Sequence, residues 1–353
     1  MLESTAQTAI NVAIPFVSVQ ASVMHLSLSK LVSGLFGLSA VASALPNHGL
    51  AKRDARTSPP SGCLTAGSGG TYSTITAALT ALGAGSSTST ACIFIYAGTY
   101  ASTDQVYINY KGSLTLYGYT SNIGSQKSNV VTFTRNINSA TAGSLDASST
   151  FNIVSANFKA YNINFKNLYG KDAQAVAVTA NGDKQGYYAC GFYGYQDTLY
   201  AKSGKQYYSN CYVEGAVDYI FGNAAAWFGE CTIASNGDGY ITASSRDTAA
   251  DPTWYVIDSS HVVAASGYTG VVYLGRPWHD FARVIYQLTE LTAVVRPDGW
   301  LCSTTNPEFR EFSNTGASAD TSKRNCLDTP TTAKVSKDTL FGSDWKSWVD
   351  TTW

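Results

Sequence analysis

Cys190-Gly-Phe-Tyr-Gly-Tyr-Gln-Asp197, Cys211-Tyr-Val-Glu-Gly-Ala-Val-Asp218 and Cys231-Thr-Ile233 begin 21 and 20 residues apart. Each cysteine is followed at once by aromatic or small apolar residues. Self-similarity at this period marks a solenoid, in which each coil stacks its strands on the previous coil and shares one continuous core. Outward from this stretch, Ile93-Phe94-Ile95, Leu114-Thr115-Leu116, Val130-Val131-Thr132-Phe133 and Val271-Val272-Tyr273 read as short strands. They are separated by clusters of Gly, Asn, Ser and Asp, and helical spacing of apolar residues is confined to the chain ends. An immunoglobulin-like sandwich would not place similar residues at a fixed interval. The expected fold is all-β, a parallel β-helix, with Cys190, Cys211 and Cys231 stacked inside as reduced, apolar-like positions.

A solenoid needs caps, because an end coil exposes core and strand edges. Tyr72 to Leu82 has apolar residues at helical spacing and is expected to form a short capping helix. The irregular tail around Trp345 and Trp348 is expected to cover the other end or to pack along the side.

The 353 residues carry 44% hydrophobic and only 13% charged residues, with 31 Gly and 23 Tyr, a mixture suited to strands and tight turns. Residues 1–23 precede a natural start at Met24 and read as an upstream extension. Residues 24–44 read as a secretory signal: Lys30, an apolar run from Leu31 to Val41, then Ala42-Ser43-Ala44. The run is short for a membrane span. Residues 45–53 end in the dibasic pair Lys52-Arg53 and read as a propeptide, leaving 54–353 as a single domain. Without Glu3, Lys30, Lys52 and Arg53, 20 basic residues face 23 acidic ones, a net charge of −3 that offers nucleic acid no attraction. Seven cysteines in a secreted chain leave at least one unpaired, and the expected bridges are Cys63–Cys92 and Cys302–Cys326. No Asn-x-Ser/Thr acceptor occurs. Cysteine spacing and four His give no metal-clip pattern, so neither metal nor cofactor is expected.

The period also carries chemistry. Asp197 and Asp218 each lie seven residues after a cysteine, at equivalent places on successive coils ~4.8 Å apart. Two carboxyl groups so close cannot both ionise freely, which separates an acid from a nucleophile. Alone, either aspartate reads as a turn residue. Gln196 adjoins Asp197, and Gln174 lies 22 residues earlier, near the equivalent place on the preceding coil. Their amides could donate to an oxyanion or form a structural ladder. Arg276, in Leu274-Gly-Arg-Pro-Trp278, suits a bidentate contact to Asp218, with Gly275 and Pro277 suggesting a shaped turn that presents Arg276 and Trp278 to a cleft.

Through Gln174-Ala-Val-Ala-Val, Tyr195-Gln-Asp-Thr-Leu, Asp218-Tyr-Ile-Phe-Gly and Leu274-Gly-Arg-Pro-Trp278, the chain from about Cys63 onward resembles the pectin methylesterases of fungal type. The resemblance implies a right-handed β-helix with an open cleft. It also implies a secreted, cofactor-free hydrolase that removes C6 methyl esters from pectin in plant cell wall modification. Asp218 would be the nucleophile, Asp197 the acid and base, Gln174 and Gln196 the oxyanion donors, and Arg276 the residue orienting Asp218. Tyr195, Tyr219 and Trp278 match positions near substrate, and Trp300 in Asp298-Gly-Trp300 matches more loosely. Ser102 stands where the family usually carries Glu. The partner would be the pectin chain, met by a monomer away from membranes. Two rival readings use the same solenoid. A lyase or hydrolase cutting the galacturonan backbone would want a calcium-binding acidic cluster, and a wall-binding module would need the aromatics alone.

Overall fold

The computed structural model describes residues 54–328 and 331–353. The signal, propeptide and upstream boundaries expected at 23, 44 and 53 lie outside the described residues. Ten parallel strands form one sheet, running coil by coil from Leu64–Ala66 through Gln185–Tyr188, Lys205–Ser209 and Ala225–Gly229 to Glu308–Phe312. A second sheet of 13 strands is really two faces. One face contains Val131–Arg135, Asn164–Asn167 and Gly191–Tyr193; the other contains Phe151–Ile153, Val178–Asn181 and Leu199–Ser203. The long strands Tyr212–Gly222 and Thr232–Ser244 bend from one face into the other and so join them. The result is a three-sided parallel β-helix.

From the coil of Phe158–Tyr161 onward, the corner between the first sheet and the next face repeats. Asn162, Ala189, Asn210, Glu230, Ser259, Leu288 and Ser313 all have positive φ there. Asn tolerates this left-handed region better than most residues, and the others are held in it by the coils on either side. Directly after three of these corners come Cys190, Cys211 and Cys231, fully buried and unbonded. Burial pushes the Cys190 thiol up to about 12, so it packs as a neutral side chain. Above them Tyr187, Tyr208 and Phe228 form a stack with ring centroids 4.9 and 4.5 Å apart. The expected disulfides Cys63–Cys92 and Cys302–Cys326 are both present.

At the N-terminal end, helix Ile75–Ala81 is capped by Thr74 and buries Ile75, Ala78 and Leu79 against the first coil. The C-terminal tail takes the side rather than the far end. Helix Lys337–Phe341 and the turn Trp345–Ser347 lie along the outer face of the ten-stranded sheet, where Phe341, Trp348 and Val349 pack with Tyr161, Tyr188, Tyr207 and Trp227. The backbone N–H of Asp350 donates to the Tyr188 hydroxyl, and the Tyr161 hydroxyl donates to the Asp350 carboxylate. Two expectations need correcting. Short helices at Ser139–Ala142 and Leu145–Ser148 interrupt the central region. Arg276 stands on a regular strand, Tyr273–Pro277, paired in register with Tyr240 to Ser244, and not on a turn. That strand starts at Tyr273, and Val271 lies before it, exposed. Among the described residues no helix is long and apolar enough to cross a membrane.

Candidate active site

The corner where the two joined faces meet carries the two aspartates. Gln196 bridges Val217 on the next coil, and the Asp197 N–H donates to the Val217 carbonyl at 2.9 Å. This pairing sets Asp197 beside Asp218. Both have positive φ, 63° and 51°, so the backbone kinks at each aspartate, Asp197 in the connection before Leu199–Ser203 and Asp218 within Tyr212–Gly222, and turns the carboxyl group out of the normal alternation. A register shift between Gly215 and Val217, and a second between Val217 and Ile220 that spans Asp218, mark the same kink. One coil earlier, the Ala175 N–H donates to the Gln196 carbonyl, bringing Gln174 to the same edge. Gln174, Gln196, Asp197, Asp218 and Arg276 line one open cavity of about 260 Å³.

The carboxyl groups have distinct environments. Asp197 is 3% exposed, and burial first, then the charge of Asp218, pushes its carboxyl up to about 8, against the opposing pull of the Gln174 amide and the Arg276 charge. At neutral pH Asp197 therefore holds a proton. Asp218 is clasped by a guanidinium, with Arg276 Nε donating to Oδ1 at 2.9 Å and Nη2 to Oδ2 at 2.5 Å. This hydrogen-bonded pair raises the arginine's own pKa. A protonated acid thus stands next to an arginine-paired carboxylate, with two side-chain amides on the cavity wall. Such a set can attack a carbonyl, stabilise the resulting oxyanion and protonate a leaving group.

Trp278 forms an exposed wall of the cavity, tilted against Tyr200 and Phe221, whose rings stack at 4.3 Å. Tyr200 and Phe221 were not singled out from the sequence, although a signal was there: each lies three residues after one of the aspartates. Three expected substrate contacts are placed elsewhere. Tyr219 is fully buried, its hydroxyl paired with Ser235 Oγ at 2.9 Å, because the kink at Asp218 turns the next side chain inward. Trp300 is also fully buried, stacked on Phe309 at 4.3 Å and donating from Nε1 to Glu311. It packs beneath Gly275, where an added Cβ would lie 3.2 Å from the Trp300 ring. Tyr195 is half-buried against Gly237 and lies outside the cavity lining. Ser102 accepts from the Asp104 N–H in a turn near the capping helix, away from the aspartates. Among the described residues no group of three or more His, Cys, Asp or Glu is placed to hold a metal ion.

Against this geometry, residues 63–341 match the family model described as Pectinesterase. The chain is 55% identical to a probable pectinesterase A of Aspergillus fumigatus over 92% of this chain and 99% of that one. It is 56% identical to pectinesterase A of Emericella nidulans, over 90% and 97%. Among solved structures it is similar to the pectin methylesterase of Aspergillus niger, with a TM-score of 0.82 and 54% identity over 85% of this chain and all of that one. The carrot pectin methylesterase gives 0.69 at 29% identity, covering 79% and 91%.

Proposed function

The chain belongs to the pectinesterase family, and from that premise we propose that it hydrolyses the C6 methyl esters of pectin with Asp218 as nucleophile and Asp197 as acid and base. The observation that carries this reading is the unequal pair: a proton retained on Asp197 to about pH 8 beside an arginine-clasped Asp218. A carboxylate oxygen of Asp218 adds to the ester carbonyl carbon, and the carbonyl electrons move onto oxygen. The amides of Gln174 and Gln196 donate to that oxyanion. As the tetrahedral centre collapses, the C–OCH3 bond breaks and Asp197 gives its proton to the departing methanol. The acyl group is left on Asp218 as a mixed anhydride. Asp197, now a carboxylate, takes a proton from water while the water oxygen attacks the acyl carbon. Asp218 leaves as a carboxylate, Asp197 is protonated again, and the new galacturonic acid ionises to solvent. Every group in this cycle is a side chain, and no step calls for a cofactor.

Trp278, with Tyr200 and Phe221 behind it, offers an apolar face for a sugar ring or its methyl ester. Under this reading the enzyme acts as a secreted monomer on the pectin of plant cell walls, released by a leader ending at Ala44 and trimmed after Arg53, with 54–353 as its one domain. The deciding assay measures methanol release from highly methylated pectin by wild type and Asp218→Asn, with ultraviolet absorbance followed for unsaturated products. Methanol from wild type alone supports the reading. Equal methanol from both removes Asp218 as nucleophile, and absorbance without methanol replaces the esterase by a lyase.

A further inference from the structure

Arg276 has a difficult task for a side chain that is 37% exposed, since its guanidinium must keep one orientation at the edge of an open cavity. The two hydrogen bonds to Asp218 lie in the guanidinium plane and leave tilting out of that plane unrestrained. The flat face is met by Tyr240, with Arg276 Cζ 4.5 Å from the ring centroid. Tyr240 is half-buried on strand Thr232–Ser244 and is paired in register with Tyr273, on the strand that bears Arg276. The two tyrosine rings stack at 5.2 Å with an interplanar angle of 16°. Behind Tyr273 lies a second arginine, Arg296, with Cζ 4.1 Å from that ring and a bidentate pair to Asp298. The order is carboxylate, guanidinium, ring, ring, guanidinium, carboxylate. Gly239, at φ +152°, packs so closely on Ala216 that a Cβ would lie 2.4 Å from its carbonyl oxygen, which pins the backbone entering Tyr240.

We propose that Tyr240 is a positioning residue of the ester hydrolysis: its ring, backed by Tyr273 and Arg296, holds the Arg276 guanidinium flat and so keeps Asp218 aimed at the ester carbon. The proposal rests on the assignment of Asp218 as nucleophile. Tyr240 is not among the residues lining the aspartate cavity and meets that lining through Arg276; with Tyr273 and Arg296 it lines a separate open pocket. Acting through Arg276, Tyr240 should change the chemical step, and the split between kcat and KM separates this from a direct contact with substrate.

The test is a cycle of Tyr240→Phe, Tyr240→Leu, Arg276→Lys and the Leu/Lys double variant, with kcat and KM measured on methylated pectin per folded molecule. Tyr240→Phe keeps the ring and should stay within about twofold of wild type. Tyr240→Leu should lower kcat about three- to thirtyfold, the span of a cation–π contact from exposed to desolvated, with KM within about twofold. In the Arg276→Lys background the same substitution should cost less than about twofold, since an ammonium has no plane to brace. A loss that appears in KM, that is as large in Tyr240→Phe, or that adds fully to Arg276→Lys overturns the proposal. Wild-type kcat in Arg276→Lys alone removes the orienting role of Arg276, and this inference with it, whereas wild-type kcat in Asp218→Asn overturns the parent assignment. If Tyr240→Leu does not fold, Tyr240→Thr takes its place in the same cycle with the same expectations.

Discussion

Replacing Asp197 by Asn removes one proton-binding site while keeping shape, and the structure says how much this should be worth. In the unfolded chain the Asp197 carboxyl ionises near 3.8, whereas in the folded protein burial and Asp218 hold the proton to about 8. Below pH 3.8 both states carry the proton and the group costs the fold nothing. As pH rises the unfolded state gains by ionising first, so stability drains away until the folded carboxyl also ionises near 8. A difference of about 4 units at about 1.4 kcal/mol each sets this cost on the order of 5 kcal/mol at pH 8, and about 3 kcal/mol at pH 6. Relaxation around the charged form reduces both figures by up to about half. Asn does not ionise, so Asp197→Asn should match wild type at pH 3.5, apart from a constant offset, and exceed it increasingly toward pH 8. Urea unfolding at pH 3.5, 6 and 8 reads this directly. The variant should also lose about 10²- to 10⁴-fold in kcat, the usual worth of a general acid and base. A stability difference that stays flat with pH would refute the retained proton, and with it the division of labour between the aspartates.

Gln196→Leu should lower kcat about 10²- to 10³-fold with little change in KM, and a loss below about fivefold in steady-state assays would leave the amide a structural role. In wild type, kcat/KM for methanol release should fall as pH rises through about 8, where Asp197 loses the proton it must donate. A constant value to pH 9.5 would contradict that role. The two tryptophans should separate cleanly. Trp278→Ala, on the exposed wall, should raise KM and leave denaturant unfolding unchanged, whereas Trp300→Ala should cost about 3–5 kcal/mol in unfolding with KM unaltered. Truncation after Lys334 uncovers Tyr161, Tyr188, Tyr207 and Trp227, and removing Phe341, Trp348 and Val349 should lower the unfolding free energy on the order of 5 kcal/mol by calorimetry or denaturation.

The solenoid was legible because coils of 21 and 20 residues fall next to each other between Cys190 and Cys231. Elsewhere the same corner recurs after 27 residues, from Asn162 to Ala189, or after 29, from Glu230 to Ser259 and from Ser259 to Leu288. Loops of varying length sit between equal strands there, so a fixed-period search sees nothing. The aspartate pair was legible for the same reason, as it falls inside the regular coils. Tyr219 and Trp300 were misplaced because residue type says that an aromatic is valuable, not which way it points. At Tyr219 the direction is set by the left-handed conformation of Asp218, a backbone property that no alternation rule carries. The glycine and proline neighbours of Arg276 suggest a turn. Gly275 instead makes room for Thr242 Oγ1, 2.1 Å from where its Cβ would lie, and Pro277 ends the strand. The resting place of the tail was open in the sequence, since an apolar segment can cover an end or a side. The aromatic residues on the outer face of the ten-stranded sheet decide it.

The left-handed corners also govern how this chain can tolerate changes in length. Where a coil is anchored at its corner, an outer loop such as 266–271, in which no strand is paired, can take extra residues and leave the stacking of later coils untouched, whereas 247–253 is tied down by its hydrogen bonds to the buried Arg246. Between Asn210 and Asp218 the situation is opposite. One added residue there shifts the kink off the aspartate and delivers a different side chain to Arg276. The frame is thus elastic around the cleft and inelastic within it. Variation in loop length can reshape what the enzyme accepts while the spacing of its acid and nucleophile stays fixed.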